Sequence, residues 1–226
     1  MLAYISKNAD KIILNTLLEK GIQVIPLPSF TALAHSVDTH ADMLFLSIDD
    51  TLFVHKDYTI DEMNFSKIVK IDEFISNKYP YDILFNIAVV GKNVFANTKY
   101  ASKTILKYFE QNDYSIHHVS QGYAHCSTCI VTENAIITAD KGIANIAQGI
   151  GIDTLLINEG HISLPPYDYG FIGGSCGATE DSIYFCGSLK YHPDGEGIRA
   201  FCQAHGKKVI ELCDAPLTDV GGILFI

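Results

Sequence analysis

The chain has 226 residues, 48% of them hydrophobic and 19% charged, with a formal net charge of −10; that length supports one sizeable core, residues 1–226 as a single domain, and is short for two. An acidic surface repels nucleic-acid phosphate and anionic lipid headgroups alike, which excludes broad electrostatic binding to either. No basic stretch precedes an apolar run at the N-terminus, and the longest apolar runs, such as 83–90, are strand-sized, so a soluble cytoplasmic chain with reduced cysteines is expected.

In chain order, residues 1–25 read as strand 2–5, helix 9–20 stopped by Gly21, and strand 22–25 ended by Pro26. Residues 42–71 open with strand 43–47, a turn at Asp49-Asp50 and strand 51–55; the following segment, 63–74, fits helix or strand. Residues 82–119 give an apolar strand, a Gly91-Lys92-Asn93 turn and strand 94–96. A helix with apolar spacing follows (Ala101, Ile105, Leu106, Phe109), then strand 114–119. Residues 126–158 repeat this order: strand 128–131, turn 132–134, strand 135–138, a helix from Asp140 to Gly149 or Gly151, strand 154–157. Residues 171–212 do so again. Gly173-Gly174-Ser175 opens the unit, Glu180-Asp181 turns it, and strand 182–186 follows. Pro193 starts a helix that Gly206 ends, before strand 208–212. Residues 221–226 are a lone strand.

The shared order, strand–strand–helix–strand at turn spacings of roughly 40–50 residues, is an internal repeat. Its helix separates it from all-strand propeller blades. The first unit lacks an opening strand, and 221–226 supplies one. Joining the termini in one blade closes a ring and leaves fewer open sheet edges.

The segment 122–131 (GYAHCSTCIV), Gly173-Gly174-Ser175, His192-Pro193-Asp194-Gly195 and Asp219-Val220-Gly221-Gly222 carry a resemblance to the penteins, the guanidino-group-modifying superfamily. That superfamily contains deiminases, amidinotransferases and dimethylarginine hydrolases, and also a non-enzymatic ribosome anti-association factor. The chain looks like an uncharacterised bacterial branch of it. The resemblance implies a five-bladed ββαβ propeller with pseudo-fivefold symmetry, the termini completing one blade, and a central small-molecule pocket. In the enzymes a cysteine on the last core strand attacks the guanidinium carbon, a histidine handles protons, and carboxylates hold the cation. Here residues 221–226 read GGILFI, without cysteine, and Ser175 stands where the deiminases commonly carry an acid. The usual deiminase mechanism therefore does not carry over.

Several side chains could supply other chemistry. His125-Cys126-Ser127-Thr128-Cys129 could bind metal or cycle as a dithiol. It runs into a strand, though, where alternation sets Cys126 with Thr128 on one face and Ser127 with Cys129 on the other. Core packing is the plain alternative. Cys176 sits among small residues that permit close approach of a ligand or of another strand. His192 could act as a base, or simply sit at a helix start beside Asp194; His161 could simply be a surface residue. Asp168 between tyrosines, or Asp219, could hold a cation, and 165–174 reads as a lid or rim. No phosphate-binding loop, dinucleotide fingerprint or serine-nucleophile elbow is present.

The expectation is a small-molecule protein acting on a guanidino, amidino or other small cationic compound. Cys126 or Cys176 would be the nucleophile and His125 or His192 the proton carrier. Asp219, Asp168, Gly174 and Ser175 would surround the substrate, without cofactor or metal. The alternatives are a non-catalytic binding protein and a metal-binding protein using Cys126 and Cys129.

Overall fold

The computed structural model describes residues 1–60 and 63–226; Asp61 and Glu62, inside the second expected unit, lie outside the described residues. Strand β1 (Leu2–Ser6), helix α1 (Lys11–Glu19) and strand β2 (Gln23–Leu27) come first. The short helix α2 (Ala41–Leu44) runs directly into β3 (Phe45–Ile48), followed by β4 (Thr51–His55) and β5 (Lys67–Ile71). Next are β6 (Ala88–Val90), β7 (Asn93–Ala96), α3 (Lys103–Gln111) and β8 (Ser115–His118). They are followed by β9 (Thr128–Thr132), β10 (Ala135–Thr138), α4 (Lys141–Gly149) and β11 (Asp153–Leu156). The chain closes with β12 (Cys176–Ala178), β13 (Ser182–Phe185), α5 (Gly195–Ala204), β14 (Lys208–Glu211) and β15 (Leu224–Phe225).

These strands form five three-stranded sheets with one common plan. A central strand pairs antiparallel with an inner strand and parallel with an outer one: β15-β1-β2, β3-β4-β5, β6-β7-β8, β9-β10-β11 and β12-β13-β14. Helices α1, α3, α4 and α5 make the parallel crossovers. Asp10, Ser102 and Asp140 cap the first three, each side chain accepting from a backbone N–H of the first turn. The two chain ends share a sheet, with Ala3 opposite Phe225 and Tyr4 opposite Leu224. The inner strands β6, β9, β12 and β15 lie side by side in that order. Large side chains such as Phe53, Phe85, Phe95, Phe109 and Phe185 are fully buried between sheets and helices, each worth roughly 1.5–3 kcal/mol of transfer free energy. Among the described residues no helix is long and apolar enough to cross a membrane.

Several expected elements differ. Between β4 and β5 no helix occurs among the described residues, and 67–71 is strand. The expected strand 43–47 starts two residues later, because 41–44 are turned into α2. There the Asp42 amide donates to Gly221 O (3.2 Å) and Met43 N to His40 O (3.1 Å). The apolar run from 83 is strand only from Ala88; turn bonds from Asn86 N to Ile83 O (3.0 Å) and Ile87 N to Phe85 O (2.8 Å) fold its first half inward. Pro26 does not end β2. It pairs with Ile5 in an outer strand, where a missing donor is tolerated. Pro193 lies one residue before the Asp194 cap of α5.

Candidate functional site

A cavity of about 280 Å³ opens where α2, the turn before β9 and the segments preceding β12 and β15 meet. Cys126, His40 and Asp219 line it, beneath a rim that includes Tyr123, Tyr167, Asp168, Tyr169 and Phe171. Tyr123 and Phe171 are tilted against each other at 6.0 Å, and Tyr169 meets Phe171 edge-on at 6.3 Å. Across the top, the hydroxyls of Ser36 and Tyr167 hydrogen-bond at 3.0 Å, joining two loops distant in sequence.

The Cys126 thiol donates to Asp42 Oδ2 (2.7 Å), and Asn86 Nδ2 donates to the Cys126 sulfur (2.9 Å). Asn86 Oδ1 accepts the amides of His125 (2.8 Å) and Cys126 (3.2 Å), so one amide side chain fixes both the turn and the sulfur. Burial, then the charges of Asp42 and Asp219, push the Cys126 thiol well above its ordinary pKa, so the free site holds it protonated. Burial also works to raise Asp42, but the neighbouring His125 and His40 rings and the Cys126 thiol outweigh it and hold the carboxyl below its ordinary value.

Asp219 is locked in place by two backbone donors, Phe171 N to Oδ2 and Gly221 N to Oδ1, both at 2.9 Å. His40 Nδ1 stands 3.7 Å from its Oδ1. Burial pushes Asp219 up to about 6, with the Asp42 charge adding and His40 opposing. The fit is close: a Cβ on Gly174 would overlap the Asp219 carboxylate, and one on Gly221, at φ +77°, would overlap His40.

A second, smaller cavity of about 90 Å³ shares no lining residue with the first; Asp42, His125, Gly221 and Gly222 line it. Asp42 Oδ1 and His125 Nδ1 are buried without a hydrogen-bond partner. His125 Nδ1 lies 3.9 Å from Asp42 Oδ2, beyond direct hydrogen bonding. Asp42 thus sits between two cavities, facing one directly and reaching the other through the Cys126 sulfur.

Of the residues singled out in the sequence, Cys126, Asp168 and Asp219 line the larger cavity and His125 the smaller. Gly174 packs behind Asp219, and Ser175 Oγ donates to Ile172 O (2.9 Å); neither lines the larger cavity. Cys176 is buried, its sulfur 3.6 Å from Gly173 O, in a core cluster with Cys129 and Cys202. His192 is buried against His161 with ring centroids 5.4 Å apart. Its Nδ1 accepts the Asp194 amide (3.1 Å), and burial pushes its pKa down. Neither Cys176 nor His192 lines the larger cavity. The expected alternation through Cys126 and Ser127 does not apply, because 123–127 form a turn and β9 begins at Thr128. Cys126 and Cys129 consequently enter different surroundings, and among the described residues no group of three or more His, Cys, Asp or Glu is placed to hold a metal ion.

Asp42, Asn86 and His40 were not singled out. The sequence carried a signal for two of them: Asn86 interrupts the apolar run 83–90, and Asp42 directly precedes the apolar run 43–46. A polar residue in such a place needs a buried partner.

The architecture matches solved structures at low sequence identity. A variant of DDAH from Pseudomonas aeruginosa complexed with citrulline superposes with a TM-score of 0.55 and 12% identity, over 88% of this chain and 77% of that one. A dimethylarginine dimethylaminohydrolase adduct with 4-chloro-2-hydroxymethylpyridine gives 0.54 and 11%, over 93% and 91%. SxtG, an amidinotransferase from Microseira wollei in the saxitoxin biosynthetic pathway, gives 0.51 and 11%, over 89% and 72%. The chain therefore has the fold of the pentein superfamily. More narrowly, residues 4–224 match the model of a family of unknown function, DUF6873, and the chain belongs to that family. No curated protein matches the sequence.

Proposed function

We propose that residues 1–226 form one domain whose five sheets close into a five-bladed ring, with a binding site for a small guanidino, amidino or related cationic compound on its axis. Adjacent inner strands and the shared sheet of the two termini support the ring. One observation carries the site: the Cys126 sulfur, held by Asp42 and Asn86, lies in a cavity walled by carboxylates and aromatic rings. Such walls suit a planar cation.

In this reading Cys126 is the nucleophile of an amidino-group hydrolase or transferase. Asp219 anchors the cation, and Asp42 accepts the thiol proton. A bound cation beside the sulfur lowers the thiol pKa, and the S–H proton passes to Asp42. The thiolate adds to the amidinium carbon, and a C–N π pair moves onto nitrogen. As the C–N bond breaks, the departing amine takes the proton from Asp42. Water, or an acceptor amine in a transferase, then adds to the carbon, gives its proton to Asp42, and the C–S bond breaks. The sulfur takes that proton back. His125, across the smaller cavity, exchanges protons between Asp42 and solvent. Six cysteines without a disulfide suit a reducing cytoplasm.

The test is calorimetric titration of guanidino and amidino compounds, with product analysis on wild type and Cys126→Ala. Turnover in wild type and binding without turnover in Cys126→Ala are expected. Equal turnover in both would exclude thiol catalysis, and absence of any binding would exclude the cationic site. A non-catalytic binding protein is the second reading. Its support is the thiol held protonated in the free site and the cysteine-free terminal strand; binding without turnover in wild type would establish it.

A further inference from the structure

The polar groups around the larger cavity are one-sided. Asp168 and Asp219 line it, and Asp42 stands behind Cys126. Among the described residues no lysine or arginine lines it. The chain's single arginine, Arg199, is on α5 and bonds Glu211 at 2.7 Å. The neutral donors are committed as well. The Tyr123 hydroxyl donates to Asp82 (2.7 Å) and that of Tyr169 to Glu159 (3.3 Å), while that of Tyr167 is bonded to Ser36 (3.0 Å). The backbone amides of Phe171 and Gly221 donate to Asp219, and His40 faces the same carboxylate. Two of the tyrosines thus bring further carboxylates, Asp82 and Glu159, up behind the wall.

We infer that the ligand of this cavity carries no carboxylate: it is a guanidinium or amidinium on an apolar or amine-bearing chain, and not a free amino acid. The inference rests on the cationic-site reading above and narrows it. A ligand carboxylate would enter beside two acids; the wall offers no lysine, arginine or free tyrosine hydroxyl to replace its water, and its histidine, His40, already faces Asp219. That like-charge contact and the unrepaid desolvation both disfavour it. An alkyl chain meets Val37, Met43 and Leu164, and the aromatic rim favours the cation. Asp168, exposed on the rim, is placed to favour a second positive charge at the far end of the chain.

The test uses four matched probes titrated calorimetrically into the full chain: n-butylguanidine, (4-aminobutyl)guanidine, 4-guanidinobutanoate and arginine. The two carboxylate-free probes should bind at least about tenfold more tightly than the two that carry a carboxylate, and Asp168→Arg should narrow that gap. Binding of 4-guanidinobutanoate or arginine as tight as that of n-butylguanidine would overturn this inference while leaving the cationic site standing. If no probe binds, the cationic-site reading itself fails, and this narrowing with it.

Discussion

Cys126 illustrates how three residues from distant parts of the chain set the state of one sulfur. Its own turn brings it to the cavity, Asn86 holds it by a donated hydrogen bond, and Asp42 keeps its proton in place. Replacing the carboxylate separates reactivity from catalysis. Asp42→Asn removes a negative charge that raises the thiol pKa, so alkylation of Cys126 near pH 8 should quicken. Turnover should fall in the same variant, because the proton acceptor is gone. Peptide mapping after brief iodoacetamide treatment reads the rate; unchanged labelling would mean that burial alone keeps the thiol protonated. Cys126, His125, Asp168 and Asp219 could be named from sequence because cysteine, histidine and turn acids are conspicuous. His40 could not, since one histidine in a loop says nothing of Asp219, 179 positions later, which only the folded chain brings to 3.7 Å.

At the scale of elements, local chemistry wrote most of the strand–helix order. Asp10, Ser102 and Asp140 start helices where a capping side chain should, and the turns at Asp49-Asp50 and 91–93 set the hairpins. What escaped were places where tertiary bonds override the pattern. Residues 43 and 44 read as the start of a strand, but Gly221 O takes the Asp42 amide and the segment turns into α2; 83–87 read as strand, but Asn86 is folded inward. These two departures supply Asp42 and Asn86, the partners of Cys126, so strand regularity is lost where the site is built. Glycine at 174 completes that arrangement by leaving room for Asp219. Gly174→Ala forces the carboxylate aside, at a cost of about 1–3 kcal/mol. A melting temperature lower by several degrees, together with weaker binding of the cationic probes, is the expected result. Unaltered stability and binding would show that Asp219 has slack the close packing denies.

Across the whole molecule, five sheets of one plan follow from similar stretches of sequence, and the strand–strand–helix–strand order was legible in that repeat before any side chain was placed. The irregular second unit was the least legible, because its outer strand follows a connection without the apolar spacing of a helix. The first sheet depends on both ends of the chain: besides the strand pairing, Leu2 N donates to Ile226 O (2.6 Å) and Ile226 N to Leu2 O (3.0 Å). Deleting 224–226 should therefore lower the melting temperature and expose an edge of β1 to self-association, read by calorimetry and gel filtration. A truncated chain that melts with the wild type and stays in the same elution peak would show that β15 adds nothing. The same pairing sets an order of events at the ribosome. β1 emerges well before its antiparallel partner, which follows only after more than two hundred further residues, roughly 10–40 s later at ordinary elongation rates. During translation the sheet of β1 is thus completed after the other four, and the β1 edge stays open longest.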